Sequence, residues 1–413
     1  MNLLRYQHVK FKSSRPFSPL HLLLSMNLLL LFQVVSTQSF TFHTMTSKSG
    51  RTTKSTTTSS FATMDSSATA TTSSNSINTL QTSNRIRETL DPCVILMKQI
   101  IAQHEHLWPP STGGIYSLAQ GVVYWTPPPS AYETLSTSAA SGDSSDLHQY
   151  CPDEGLPALI DALETKLAAE NGLGAGNDDA ESKVIVTSGA NQAYVNCVLT
   201  LLSEGEGAVV FRPYYFNHVM AIQMCRGEES LVVGPVDEDG IPDLDWLRSR
   251  LERERDGGQL AGPRIRMVTV VNPGNPTGVS MPRAKLEEVV RLCGEFGVWL
   301  VMDNTYEQFD HVRANRDDAS DDDDDDVPFR CFSEEHVINI FSFSKGYAMA
   351  GFRVGYVVLN TLGDKSKDAY EQMLKVCNVM CTPLSQQSSV PMFGSKLQPK
   401  KRLIHITLVS SPP

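Results

Sequence analysis

Short runs of apolar and β-branched residues alternate with helical patterns from about residue 80 onward. Apolar residues at helical spacing predict helices over 191–202 and 283–296. Strands that are apolar throughout and separated by helices indicate a mostly parallel sheet with helices on both faces, which is an α/β fold. The chemistry of such a sheet is expected in the loops at the carboxyl ends of its strands. The predicted strands cover residues 184–187, 208–211, 267–271, 298–302, 337–341 and 354–358.

The first 78 residues follow a different pattern. A basic start precedes an apolar run, Leu20–Val35, that polar residues interrupt and that is short for a membrane span. A Ser/Thr-rich stretch, Thr44–Ser76, follows it. This order favours a signal-peptide core over a membrane anchor, and it resembles the two-part plastid leaders of algae whose plastids lie inside the secretory system. We expect residues 1–78 to be a disordered leader that targets a plastid, with no stable membrane association after its removal. The alternatives are mitochondrial import, or a cytoplasmic protein translated from Met45 or Met64.

Composition and charge narrow the class of protein. The chain is 41% hydrophobic and 20% charged with a net charge of -11, which suits a soluble globular protein and argues against nucleic acid as a partner. Eight scattered cysteines without a C-x-x-C pattern predict free thiols and no zinc site. Eight aspartates fall within residues 317–326, where we expect a solvated surface loop. A divalent-ion site there is the disfavoured alternative, because the segment lacks spaced ligands and a Gly turn.

Unusual residues follow three of the predicted strands. Small residues at 188–190 begin a helix, which suits a phosphate site as well as simple N-capping. Two prolines and two glycines in the loop 272–278 leave it little freedom, which suits the presentation of the Asn275 side chain to a ligand. Asp303 ends a strand, where a carboxylate is costly unless a cation or donor neutralises it, although a capping role is the simpler interpretation.

Lys345 stands in a fourth loop, between the strand 337–341 and a Gly-rich stretch that ends at Arg353. A lone lysine is usually a solvated charge, but burial or a neighbouring cation would lower its pKa and free the amine as a nucleophile. Taken together, a phosphate cradle, a nucleophilic lysine, a buried carboxylate and a fixed asparagine match the requirements of pyridoxal phosphate. We therefore expect this cofactor.

The motifs in their order resemble those of the class I and II, fold-type I aminotransferases, and most of all the plant aromatic and methionine aminotransferases. The resemblance covers about residues 88–390. It implies a ping-pong transfer of an amino group between an amino acid, aromatic or methionine favoured, and a 2-oxo acid. An elimination reaction on the same fold, such as that of a C–S lyase, and a cofactor-binding chain without catalysis both stay open. The motifs are SLAQGVVYWTPP, YCPDEGLPAL, VTSGANQAYVN, RPYYFN, VVNPGNPTG, DNTYE and FSFSKGYAMAGFRVGY.

The resemblance also implies roles for individual residues. Lys345 would be the Schiff-base lysine and proton shuttle, and Asp303 would pair with the ring nitrogen of the cofactor. Asn275 and Tyr306 would bond the ring oxygen, and Tyr215 would stack on the ring. The residues implied to hold the phosphate are Gly189, Ala190, Asn191, Ser342 and Arg353.

Two further residues concern the substrate and a second subunit. Gly121 would bring its backbone near the substrate carboxylate, with Asn275 also on the substrate side. Tyr150 would reach the phosphate of a neighbouring subunit, which implies a homodimer. No metal site is expected.

The resemblance also implies a domain division. Residues 79–125 would form an N-terminal arm and part of a small domain, 126–360 the large cofactor-binding domain, and 361–390 the interdomain helix and the start of the small domain. The match stops in the atypical tail, 391–413. We therefore expect most of the C-terminal small domain, with its substrate-clamping arginine, to be missing, either through a gene-model error or because the protein is short.

Overall fold

The computed structural model describes residues 82–104, 106, 121–140, 149–174, 182–257, 262–309, 329–360, 363–380, 385–386 and 388–393. The predicted leader, the Asp-rich segment and the tail beyond residue 393 lie outside these residues, and the expectations about them stay predictions. Within the described part of the chain, no helix is long and apolar enough to cross a membrane.

A seven-stranded sheet forms the centre of the fold. Its strands are β1 Ser182–Thr187, β2 Glu206–Phe211, β3 Leu231–Gly234, β4 Arg264–Val271, β5 Trp299–Asp303, β6 Val337–Ser342 and β7 Gly355–Asn360. Their order in the sheet is β1-β7-β6-β5-β4-β2-β3. The pairs β2–β3, β2–β4, β4–β5 and β5–β6 are parallel, while β7 runs antiparallel to both of its neighbours, β6 and β1. The predicted α/β fold with a mostly parallel sheet is therefore confirmed.

Six of these strands correspond to the apolar runs of the sequence, and the structure adds β3. This strand has only four residues, at the edge of the sheet, and three of them are partly exposed. Because a short, half-exposed edge strand has no long apolar run, the sequence pattern did not predict β3.

Helices cover both faces of the sheet. The helix predicted over 283–296 has those bounds and ends at Gly297, whose φ of 64° suits glycine. A π-helix, Leu167–Asn171, directly continues the α-helix Pro157–Lys166. Short 3-10 turns occupy Glu228–Ser230, Glu307–Phe309, Ala350–Phe352 and Val390–Phe393. The α-helices are α1 Asn84–Glu88, α2 Cys93–His104, α3 Pro129–Ala140, α4 Pro157–Lys166, α5 Ala190–Leu201, α6 Phe216–Arg226, α7 Leu244–Arg255, α8 Arg283–Phe296 and α9 Asp364–Cys377.

The two faces of the sheet bury separate apolar clusters. On one face, helices α5, α6 and α9 pack against alternate strand residues such as Met267. On the other face, α7 and α8 pack against the intervening residues such as Val268. Because successive side chains of a strand point to opposite faces, one apolar strand such as β4 serves both clusters.

A third cluster lies at the β1–β7 side of the sheet, where α4 packs together with the turn Val390–Phe393. Met392 is 5% exposed in this cluster, and the Phe393 ring packs against Phe343 and Tyr347 at 5.6 and 5.5 Å between centroids. The first residues of the segment expected to be an atypical tail are thus part of the core.

The reversal of β7 determines which residues share one edge of the sheet. Strands β1 and β6 end there, and β7 begins there, because Gly355 pairs with both Thr187 and Ser342. The residues just before β7 therefore lie beside the residues just after β1 and β6. This side of the sheet, where the parallel strands end, is called the carboxyl edge below, to distinguish it from the edge strands.

Candidate active site

Asp303 is the last residue of β5 and is 4% exposed at the carboxyl edge. Its Oδ2 lies 3.0 Å from Nε2 of His218, and its Oδ1 accepts a hydrogen bond from the Thr305 amide at 3.0 Å. Burial alone would raise the pKa of Asp303, but the hydrogen bond and charge of His218 outweigh it, so the pKa lies below its ordinary value of 3.8. The site therefore holds a buried carboxylate that stays anionic.

His218 was not among the predicted residues, and neither was Tyr194, which stacks on its imidazole at 3.9 Å between ring centroids. Tyr194 shares a 2.8 Å hydrogen bond with Thr269 of β4, which fixes the plane of the stack. The one available sequence signal was spacing: His218 follows Tyr215 by three residues at the start of α6, so both lie on one side of that helix. Tyr215 meets His218 edge to face at 5.1 Å.

The structure brings Asn275 and Tyr306 together. The Asn275 Nδ2 donates to the Tyr306 hydroxyl at 3.2 Å, although the residues are 31 apart in the chain. Burial, and after it the charges of Tyr215 and Asp303, raises the pKa of Tyr306 to about 12. The phenol is therefore protonated at neutral pH and has a proton to donate.

The Lys345 amine lies within the same group of residues. Its Nζ donates to the Gly121 carbonyl and lies 5.9 Å from the centroid of the Tyr306 ring. Burial, followed by the positive charge of Arg353, lowers the pKa of this amine below its ordinary value of 10.5. A Cβ added at Gly121 would lie 3.4 Å from Nζ, so the backbone of residue 121 forms one wall beside the amine.

Arg353 lies over the start of helix α5. A Cβ added at Gly189, the N-cap residue of this helix, would lie 2.4 Å from Nη2 of Arg353. Gly189 has a φ of 81°, and Arg353 itself has a φ of 56°, a left-handed conformation that is costly for a side chain other than glycine. A guanidinium thus stands beside a helix N-terminus, where orphan amides and the helix dipole favour an anion.

The other residues predicted to bind phosphate lie around this pair. Ala190 and Asn191 form the first turn of α5, and β7 packs so closely there that a Cβ at Gly355 would lie 2.6 Å from the Ala190 nitrogen. Ser342 ends β6 and its Oγ accepts from the Ser344 amide at 3.1 Å. The Ser344 hydroxyl, which was not predicted, accepts from Arg353 Nη1 at 3.4 Å.

Tyr150 is separate from this group. It is 85% exposed, and within the described part of the chain no hydrogen bond or ring contact links it to the other predicted residues. The remaining predicted residues converge on the carboxyl edge. Their arrangement provides a buried anion, an amine of lowered pKa and an anion cradle, which are the groups that a pyridine ring with an aldehyde and a phosphate requires.

Comparison with known proteins places the sequence in a family. A sequence model of the family "Aminotransferase class I and II" matches residues 114–397. An aromatic aminotransferase of Arabidopsis thaliana is 41% identical over 272 residues, which are 66% of this chain and 60% of that protein. An aspartate/prephenate aminotransferase of Thermus thermophilus is 30% identical over 50% of this chain and 48% of its own length. The chain thus spans about half to three fifths of these relatives.

The fold is also similar to solved structures. Aspartate aminotransferase from Thermus thermophilus with maleate superposes with a TM-score of 0.59 at 23% identity, covering 76% of this chain and 73% of that one. The aspartate aminotransferase of Rhizobium meliloti gives the same TM-score at 21% identity. These similarities support the fold, and the family match spans more than half of the chain. The chain belongs to the class I and II aminotransferase family.

Proposed function

We propose that this chain is an aminotransferase that moves an amino group between an amino acid and a 2-oxo acid. Class I and II aminotransferases use pyridoxal phosphate, which supplies an electron sink for the charge that develops at the substrate α-carbon. The observation that carries the proposal is that the same edge of the sheet holds both a buried, anionic Asp303 and a Lys345 amine whose pKa is lowered.

The residues present fit this cofactor. The Arg353 guanidinium lies against Gly189 only because residue 189 has no side chain, and this contact places a guanidinium beside helix amides as a phosphate would require. Asp303 carries a negative charge where a ring nitrogen would need a partner to keep its proton. Tyr215, on the loop after β2, offers a ring face beside His218.

The chain's own residues would then divide the work. Arg353 and the first turn of α5 would hold the phosphate, and Asp303 would hold a proton on the ring nitrogen. Asn275 and the protonated Tyr306 would bond the ring oxygen. Lys345 would take the proton from the substrate α-carbon, because a lowered pKa favours the unprotonated amine, which is the form that can accept a proton.

Two observations favour aromatic amino acids as donors. The relative at 41% identity is an aromatic aminotransferase. In this chain, Trp125 stacks with Phe309 at 6.3 Å between centroids and Phe309 meets Tyr306 at 6.1 Å. These three rings extend an apolar surface from the ring-oxygen side of the site toward solvent, where it could contact an aromatic or methionine side chain.

We also propose a homodimer and a plastid location. The highly exposed Tyr150 is available to a second copy of the chain, whose phosphate it would reach. The leader, residues 1–78, would direct import. A fusion of these residues to a fluorescent protein would accumulate in plastids, and a fusion that stays in the cytosol would refute the location alone.

The test of the activity uses the purified full-length chain with pyridoxal phosphate. We expect a visible absorbance band of the bound cofactor and formation of phenylpyruvate from phenylalanine and 2-oxoglutarate. Lys345→Ala should abolish both, while Lys285→Ala, which removes an exposed lysine of α8, should change neither. An active Lys345→Ala chain would overturn the proposal, and so would an unaltered chain that forms no phenylpyruvate but releases ammonia and a thiol from methionine.

A further inference from the structure

Three polar side chains form a buried network beneath the candidate active site. The Lys166 ammonium, at the end of α4, donates to both carboxylate oxygens of Glu307 at 2.6 and 2.7 Å and to Asn171 Oδ1 at 2.6 Å. Asn171 Nδ2 in turn donates to Glu307 Oε2 at 2.8 Å and to the Phe329 carbonyl at 3.0 Å. The side chains of Lys166 and Glu307 are 1% and 9% exposed. Each of the three side chains bonds both of the others, and a second carboxylate, that of Glu170, lies 3.9 Å from the Lys166 ammonium.

The π-helix Leu167–Asn171 builds this network. Lys166 and Asn171 are five residues apart, and in an α-helix positions i and i+5 do not lie on the same side. The wider turn of a π-helix, with its i to i+5 bonding, brings the two side chains to one face. Asn171 is fully buried and its backbone carbonyl accepts from the Cys331 amide at 2.9 Å, so the turn is fixed on both sides.

Glu307 links the network to the active site. It directly follows Tyr306 and begins the 3-10 turn Glu307–Phe309, whose amides bond back to the loop after β5. Along this loop the side chains diverge: Asp303 and Tyr306 face the site, while Asn304 bonds Asn339 at 3.0 Å and Glu307 bonds Lys166. The position of the Tyr306 backbone is therefore set by its buried neighbours.

The same ammonium also touches the strand that leads to Lys345. Lys166 Nζ lies 4.7 Å from the centroid of the Phe341 ring, in β6, four residues before Lys345. One cation thus contacts both the strand before Lys345 and the turn after Tyr306. A buried ion pair is weak support for stability, because desolvation offsets its attraction, but it can select one geometry over others.

We propose that the Lys166–Asn171–Glu307 network is a positioning device that fixes the Tyr306 phenol relative to Asn275 and Lys345. This inference rests on the proposed function. Tyr306 would donate to the anionic ring oxygen of the cofactor, which favours loss of the proton that Lys345 shares with that oxygen. A displaced phenol donates less well, and the pH midpoint of the cofactor's visible absorbance should then rise.

The experiment measures this midpoint in the full-length chain loaded with pyridoxal phosphate. Glu307→Gln keeps the size of the side chain and removes its charge, and we expect the midpoint to rise by about 0.5 to 1 pH unit. Tyr306→Phe should raise it at least as much, and the double variant should show no further rise. Asn171→Ser, which leaves the ion pair intact, should give a smaller rise in the same direction and keeps the test available should Glu307→Gln not fold.

Glu254→Gln is the matched control. Glu254 pairs with the buried Arg250 at 3.0 Å and accepts from the Ile265 amide at the start of β4, at the opposite edge of the sheet. The Glu254→Gln variant should lower the melting temperature without moving the pH midpoint of the cofactor's visible absorbance. If the Glu307 and Asn171 variants lose only melting temperature, or if their shifts add fully to that of Tyr306→Phe, the network is structural and the inference fails. If the unaltered chain develops no visible band, the proposed function fails instead.

Discussion

The imidazole of His218 lies 3.0 Å from the carboxylate of Asp303, and the side chains of both residues are at most 5% exposed. A buried carboxylate without a partner would take up a proton, because burial disfavours its charged form. His218 reverses this preference and holds the pKa of Asp303 below its ordinary value. The negative charge that would keep a ring nitrogen protonated therefore depends on His218.

Replacement of His218 should impair catalysis more than folding. His218→Phe keeps a ring against Tyr194 but removes the donor to Asp303, so burial would then raise the pKa of Asp303. We expect kcat/KM to fall at least about tenfold, because each unit by which the pKa of Asp303 rises corresponds to a factor of ten. Asp303→Ala should cause a larger fall. Steady-state assays of oxo-acid formation measure this. His336→Phe is the control, since the imidazole of His336 bonds only the Val290 carbonyl among the described residues, and this variant should keep full activity.

The same pair makes a prediction for stability against pH. Because the folded pKa of Asp303 lies below the unfolded value, its contribution to stability is fully present above the unfolded pKa of about 3.9 and is lost as the pH falls through the folded value. The difference in unfolding free energy between the cofactor-free chain and its His218→Phe variant should thus be largest near neutral pH and narrow below about pH 4. Urea unfolding at several pH values tests this, and a constant difference would contradict it.

The sequence allowed the positions of Asp303, Asn275 and Lys345 to be predicted, because a parallel sheet brings the residues after its strands to one edge. It did not predict His218, whose contact with Asp303 depends on how α6 packs on the sheet. The contact between Arg353 and Gly189 depends on the reversed direction of β7. An apolar run predicts a strand but does not indicate whether that strand is parallel or antiparallel to its neighbours.

The Lys166–Glu307 pair could not be predicted from the sequence for a related reason. The two residues are 141 apart and meet only in the packed structure, and the π-turn after α4 then brings Asn171 to the same pair. Hydrophobic spacing predicts where a helix lies, but a single wider turn leaves that spacing almost unchanged. Local pattern thus predicts strands and strand-end residues, whereas contacts between distant buried polar groups require the packed structure.

Gly189→Ala should weaken cofactor binding through the position of Arg353. The added Cβ would lie 2.4 Å from Nη2, and the φ of 81° is strained for alanine. Displacement of the guanidinium from the N-terminus of α5 removes a charge-assisted bond to the phosphate, so we expect the Kd for pyridoxal phosphate to rise about tenfold or more. Gly205→Ala is matched in backbone, with a φ of 80° and no atom within 4 Å of the new Cβ. Gly205→Ala should lower stability without changing the Kd for the cofactor. Equal Kd values for the two variants would exclude a role for Arg353 and the N-terminus of α5 in binding the phosphate.

Trp125→Ala tests the aromatic surface beside Tyr306. Removal of the indole takes away the stack on Phe309 and the largest apolar ring of that surface. We expect kcat/KM for phenylalanine to fall about 10- to 200-fold, which is the range for lost apolar contact in a pocket, while kcat/KM for aspartate changes little. Competition between the two donors in one assay measures the ratio directly. An equal fall for both donors would mean that Trp125 supports the fold of the site and does not select the substrate.

Tyr150 allows the proposed dimer to be tested by complementation between subunits. Tyr150→Ala alone should raise the Kd for the cofactor, and Lys345→Ala alone should abolish turnover. In a mixed dimer, one site would combine the intact Lys345 of one protomer with the intact Tyr150 of its partner, whereas the other site would carry both defects. Co-expression of the two variants with different tags, followed by isolation of the doubly tagged species, should therefore recover about half of the activity per dimer of the unaltered protein. If Tyr150 acts within its own subunit, the mixed dimer would instead keep only the reduced activity of the Tyr150→Ala protomer. A chain that stays monomeric in light scattering and is fully active would refute the shared site.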